Sequence, residues 1–172
     1  SVAPRALARL DAAPDQGARV PVDLASLTLE TLDTLRPRAA QRDIRIETDL
    51  QPARIAGRPD QIGRVFANLL DNALDYTRPG GGIRLSTAVD NGQSVAIVAD
   101  TGEGISPEDL PHVFDRFYRA SRTRSRAEGH AGLGLAICKG IMDAHGGRID
   151  VASKPGRGTA FTLRWPAESG PA

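Results

Sequence analysis

The chain has 172 residues, 40% hydrophobic and 25% charged, which are proportions of a folded globular protein and exclude a disordered one. Its 22 Lys and Arg against 21 Asp and Glu leave a formal charge of +1, which excludes the strongly basic surface of a dedicated nucleic-acid binder. A single cysteine, Cys138, rules out an internal disulfide and a cysteine metal cage, and three scattered histidines (His112, His130, His145) argue against an all-protein zinc site. No apolar run approaches the roughly 20 residues needed to cross a bilayer. Residues 1–20 contain no apolar signal core, so a soluble piece is expected. The first residue is Ser rather than Met, as expected of a fragment or a processed chain.

Residues 1–21 read as the end of a helix and a polar linker, with Pro14 and Gly17 as breakers. Asp23 can cap a helix whose Leu24, Leu27, Thr31 and Leu35 recur at helical spacing, running to about Gln41. Ile44, Ile46, Thr48 and Leu50 alternate with polar residues as in a half-buried strand. Residues 60–77 form the clearest helix. Ile83 to Val89 and Val95 to Asp100 predict a hairpin closed by Asp90-Asn91-Gly92. A short helix is expected from Ser106-Pro107. Residues 116–131 carry Arg, Ser and Gly without apolar periodicity and read as a long loop. A helix follows from about Gly132 to His145, stopped by Gly146-Gly147, with Cys138 and Met142 on its inner face or edge. Strands 148–153 and 159–165, joined by Lys154-Pro155-Gly156-Arg157-Gly158, complete the chain, and there is no internal repeat. The grouping predicts an α+β fold, a two-layer α/β sandwich in which a mixed, mostly antiparallel sheet packs on one layer of helices.

Three segments carry chemistry. On the 60–77 helix, Ile62, Val65, Phe66, Leu69, Leu70, Ala73 and Leu74 fall within one arc of about 180°, at about 100° per residue. Asn68 and Asn72 lie just beyond one edge of that arc, and Tyr76 continues their row. Such amides are compatible with solvated or capping positions, or with a polar lining whose oxygen suits Mg²⁺ beside an aromatic ring suited to a base. The segment Asp100-Thr101-Gly102-Glu103-Gly104-Ile105 follows a strand. It is either a tight turn with structural glycines or a place where an acid accepts an amine and the backbone comes close to a ligand. Gly129 to Leu135 opens into a helix, as a flexible hinge or as a phosphate loop using free N–H groups. Ile137 stands where a dinucleotide fingerprint has its third Gly, and no Gly-Lys-Ser/Thr makes it a Walker A loop.

In order and spacing, DQIGRVFANLLDNALDYT (60–77), DTGEGI (100–105), FDRFYR (114–119) and GLGLAI (132–137) resemble the N, G1, F and G2 boxes of sensor histidine kinases. GRGTAFTLRWP (156–166) resembles the closing hairpin of the same family. The likeness covers about residues 22–166, leaving 1–21 as a remnant of a dimerisation helix with its linker and 167–172 as a tail. Its catalytic domain belongs to the GHKL ATPase superfamily, which includes gyrase and mismatch-repair ATPases, and has a flexible ATP lid. The resemblance implies ATP and Mg²⁺ as ligands. Asn72 would hold the metal with Asn68 nearby, Asp100 would read the adenine amine, and Tyr76 would pack on the base. Gly102, Gly104 and Ile105 would line the base site. Arg116 and Arg119 would face phosphate, and Gly132, Leu133, Gly134 and Leu135 would bring backbone N–H groups and their helix to it. Thr159 would stand near the nucleotide from the sheet.

Two positions depart from the pattern. Asp75 stands where many relatives carry Lys, and His130 where the lid commonly has Gly. None of the three histidines is followed by the Glu/Asp-x-x-Thr/Asn-Pro of the family's phosphoacceptor. The resemblance therefore implies a phosphoacceptor dimerisation domain as partner, in cis or in trans, and a response regulator indirectly. It also implies a monomeric fragment on the cytoplasmic side of a membrane-anchored sensor, while the balanced charge and the lack of an aromatic row beside Arg116, Arg119, Arg122, Arg124 and Arg126 argue for no nucleic-acid partner. A nucleotide-dependent interaction module, an anti-sigma-type serine kinase and a gyrase-like ATPase are the alternatives. The last expects a Glu near Asn68 to activate water, which an Asn cannot do.

Overall fold

A computed structural model describes residues 18–118 and 134–168. The elements are β1 (Val20–Asp23), α1 (Leu24–Gln41), β2 (Arg45–Leu50), β3 (Arg54–Gly57), α2 (Pro59–Tyr76), β4 (Gly82–Asp90) and β5 (Gln93–Asp100). A 3₁₀ turn (Leu110–His112), α3 (Gly134–Ala144), β6 (Arg148–Lys154) and β7 (Gly158–Pro166) follow. Five strands form one sheet in the order β2-β4-β5-β7-β6, and β1 pairs with β3 in a separate two-stranded ladder. Only β2 and β4 run parallel, joined through β3 and α2; the other pairs are antiparallel. This is the expected α+β sandwich.

Local chemistry accounts for the boundaries. Asp23 caps α1, accepting from Ala25 N at 3.2 Å and from the Ser26 hydroxyl at 3.0 Å, and also holds Ala53 N at 3.1 Å. The β4–β5 hairpin turns at Asn91 (φ 51°) and Gly92 (φ 76°), the left-handed pair that a two-residue turn of this hand requires. Along β5, Ser94, Ala96 and Val98 are buried while Val95, Ile97 and Ala99 are half-exposed, so one strand face meets the helices. The core joins Leu85, Val98, Phe161, Leu163 and Trp165 of the sheet to the apolar face of α2. All seven residues expected on that face are buried.

Two readings are corrected. Residues 20–23 and 54–57 pair in antiparallel register as β1 and β3, where a linker and no strand were expected. The helix expected from Ser106 is turns leading to a 3₁₀ turn, because prolines at 107 and 111 leave too short an interval for an α-helical hydrogen-bond ladder. At the ends of the described fold, Arg19 donates to Ala144 O, and Glu168 N bonds Arg54 O at 2.9 Å.

Leu69 is fully buried in the centre of the α2 face. Leu69→Ala should lower stability by about 2–5 kcal/mol in urea denaturation, through lost transfer energy and the cavity left behind.

Candidate functional site

Strand alternation places the first functional side chain. Two residues beyond Val98, Asp100 falls on the helix-facing side at the very end of β5, between Ile83 of β4 and Thr159 of β7. Its Oδ1 accepts from Gly102 N at 2.8 Å, and the Thr159 backbone N–H also points at the carboxylate. Burial raises its pKa to about 6, against the downward pull of those two hydrogen bonds. Near neutral pH the group is an ionised acceptor in a protected corner, suited to a ligand N–H donor.

The loop after Asp100 is held by contacts that exclude side chains. A Cβ on Gly102 would run into the Tyr76 carbonyl, and one on Gly104 (φ 76°) into the Lys154 carbonyl. The glycines are thus required by protein backbone, and their absent side chains let the corner close on α2 and on the β6–β7 hairpin. Glu103 N bonds Tyr76 O at 3.3 Å, tying this loop to the last residue of α2. Ile105 N donates to Ser153 Oγ at 2.7 Å, and Ser153 Oγ lies 2.9 Å from Thr159 Oγ1.

Asn68, Asn72 and Tyr76 follow one row of α2, all half-buried at the rim of its apolar face. Asn68 Nδ2 donates to Gly134 O, the first residue of α3, at 3.3 Å. The amide row therefore touches the glycine-led helix start near one end and the Asp100 loop at the other. Leu135 is half-buried against the core. Below Asn68, Cys138 is fully buried with Sγ 3.7 Å from Val65 O, and burial pushes its thiol up to about 12.

Asp75 turns away from this row. Its carboxylate is 3.5 Å from Arg42 and 3.9 Å from Arg38 of α1, and Arg38 also holds Asp71 at 2.6 Å. The negative charge that departs from the family pattern is answered by α1. Arg116 lies exposed with its guanidinium 5.5 Å from the Phe117 ring centre. Arg119, Gly132 and Leu133, with His130 and most of the lid, lie outside the described residues.

Ser153 and Gly158 belong to the site and were missed. Ser153 ties three segments together: the Asp100 loop through Ile105, the hairpin through Gly158 O at 2.8 Å, and Thr159. Gly158 (φ 103°) rests on the Asp100 carbonyl so closely that no Cβ fits. The second glycine of Lys154-Pro155-Gly156-Arg157-Gly158 is the signal that could have found it, since Gly156 alone suffices for a turn.

The donor set suits a nucleotide that brings its own cation. Among the described residues no group of three or more His, Cys, Asp or Glu could hold a metal, whereas half-buried amides offer a few hard oxygens. Such sites share Mg²⁺ with phosphates and water.

The sequence model of the histidine kinase-, DNA gyrase B- and HSP90-like ATPases matches residues 57–169. The chain belongs to this ATPase family. It is 40% identical over 149 residues to the sensor histidine kinase YkoH of Bacillus subtilis, covering 87% of this chain and 32% of that protein. It thus spans about a third of that relative. Among solved structures, the mycobacterial sensor histidine kinase MprB superposes with a TM-score of 0.75 at 32% identity, covering 87% of this chain and 97% of that one. Full-length ShkA in complex with AMPPNP gives a TM-score of 0.77 at 29% identity, covering 90% of this chain and 32% of that one.

Asp75→Ala should cost about 1 kcal/mol in thermal or urea unfolding and leave nucleotide affinity within about twofold, since it removes a half-buried carboxylate from an ion network whose arginines are exposed and which lies outside the site. Asp100 should titrate near pH 6 by carboxyl NMR. Its raised folded value, against 3.8 as the ordinary one, makes its contribution to stability full below pH about 4 and lost as pH rises through about 6.

Proposed function

We propose that this ATPase-family chain binds Mg-ATP where α2, the Asp100 corner and the start of α3 meet, and transfers the γ-phosphoryl group to a histidine on a separate phosphoacceptor domain. One observation carries the reading: α2 is hydrogen-bonded both to the Asp100 loop, through the Tyr76 carbonyl, and to the first residue of α3, through Asn68. A base reader, an amide row and a glycine-led helix start therefore share one edge of the fold. The sensor-kinase relative and the AMPPNP complex of a structural neighbour support it.

Each residue has a distinct task. Asp100, ionised above pH about 6, accepts the exocyclic amine of adenine, and Tyr76 packs on the base. Gly102, Gly104 and Ile105 shape the base site, and Thr159 helps fix the acid that reads it. Asn72 offers its amide oxygen to the metal, and Asn68 joins the same row to Gly134. Gly134 and Leu135 open α3 and turn backbone N–H groups to phosphate, Arg116 supplies positive charge from the F box, and Gly132, Leu133 and Arg119, outside the described residues, are assigned to the same task by the resemblance. Bound Mg²⁺ offsets the charge on the phosphates during transfer. These residues then need only orient and exclude water, because phosphoryl transfer through a loose transition state asks for positioning more than covalent chemistry.

Among the described histidines, His145 fits poorly as an acceptor, and His112 lacks the acceptor sequence of the family. His145 is buried with both ring nitrogens engaged, and His112 pairs with Asp115 at 3.1 Å. The acceptor is accordingly a dimerisation domain, in cis or in trans, with a response regulator downstream. The domain works on the cytoplasmic side of a sensor; among the described residues no helix is long and apolar enough to cross a membrane.

The test couples two measurements. A fluorescent ATP analogue with Mg²⁺ should bind; Asp100→Asn should weaken it at least about tenfold, the worth of one charge-assisted hydrogen bond, and Asn72→Asp should impair its metal-dependent part. Adding a matching acceptor domain with Mg-ATP should then yield acid-labile phosphohistidine. Binding without transfer would leave an interaction module, and no binding would end the nucleotide reading.

A further inference from the structure

The far end of α3 is fastened by a side chain that the nucleotide site does not use. His145 follows the last residue of α3 and is only 4% exposed. Its Nε2 accepts from Arg58 N at 3.2 Å, and its Nδ1 lies 2.8 Å from Ile141 O, which can only accept. Both contacts are satisfied at once only by a neutral ring carrying its proton on Nδ1. The ring also fills the space beside Gly57, where a Cβ would come within 3.1 Å of His145 Cδ2. It thus joins α3 to the corner between β3 and α2.

We infer that His145 is a positioning residue for nucleotide binding: as a neutral, doubly hydrogen-bonded ring it anchors the C-terminal end of α3, and so holds the Gly134 end of that helix against Asn68. The inference rests on the nucleotide reading above. It follows from the shape of α3, 11 residues long and about 16 Å as a rod. Cys138, fully buried at its middle, acts as the fulcrum, with the Asn68–Gly134 contact on one side and His145 on the other. Protonating Nε2 would set an N–H against the Arg58 N–H, loosen that end, and shift the helix start where phosphates bind.

The surroundings favour the neutral ring. Burial holds its pKa below the usual histidine value; the Ile141 carbonyl opposes this, Arg19 and Arg58 add to it, and Asp60 opposes it. Arg19 also donates to Ala144 O at the same helix end. By linkage, a ligand that needs the anchored helix must favour the neutral ring and lower the pKa of His145 further.

The experiment is an NMR titration of the His145 ring nitrogens in this chain, with and without an ATP analogue and Mg²⁺, using the Gly102 amide signal to report binding. The His145 midpoint should fall by about half a unit or more, equivalent to about threefold tighter binding to the neutral form. In His145→Asn, which cannot titrate, the loss of affinity between pH about 8 and about 5.5 should be smaller by the part of that factor developed above pH about 5.5, the remainder belonging to groups that still titrate, Asp100 among them. An unmoved midpoint while the Gly102 signal shifts would overturn the inference, as would an undiminished pH dependence in the variant. If the Gly102 signal never moves, the nucleotide site itself fails, which is a separate result.

Discussion

Burial of the α2 face fixes where every other functional group in this domain can stand. Seven apolar side chains, Phe66 and Leu70 among them, lock the rotation of the helix against the sheet. At about 100° per residue, a helix whose face is fixed has no freedom left for its neighbouring row. Asn68, Asn72 and Tyr76 are thereby delivered to the rim. The same logic applies to β5, where inward-facing Ser94, Ala96 and Val98 oblige Asp100 to face inward too. Ordinary core packing puts an acid and an amide row on one edge.

That placement has an energetic cost of its own. A carboxylate closing a core strand is shielded from water and is met by backbone N–H groups of Gly102 and Thr159, which return only part of its hydration. The fold sustains it by closing backbone around it at Gly102, Gly104 and Gly158, positions where any side chain would strike a carbonyl. A neutral residue would sit there more easily.

Much of this was legible in the residues. The α2 face, the Asn91-Gly92 turn, the Asp23 cap and the place of Asp100 at the end of a strand all follow from periodicity or from side-chain chemistry within a few positions. The β1–β3 pair was not, because four residues with Pro21 in one strand show no alternation to read. Ser106-Pro107 resembled a helix start only while Pro111 was ignored. Asp75 shows another boundary of such reading. Helical angle says that it leaves the Asn72 side, but only the packing of α1 on α2 reveals Arg38 and Arg42 waiting for it. Ser153 was invisible for a related reason, since its partners are distant in sequence or reached only through the folded hairpin.

The buried thiol of Cys138 gives the domain an internal gauge of its own breathing. With the sulfur sealed beneath Val65 and its pKa pushed to about 12, a maleimide or disulfide reagent meets neither an accessible nor an ionised target while the two helices stay together. Any labelling then counts the moments at which α3 lifts from α2, in a chain that has no other cysteine to confuse the signal.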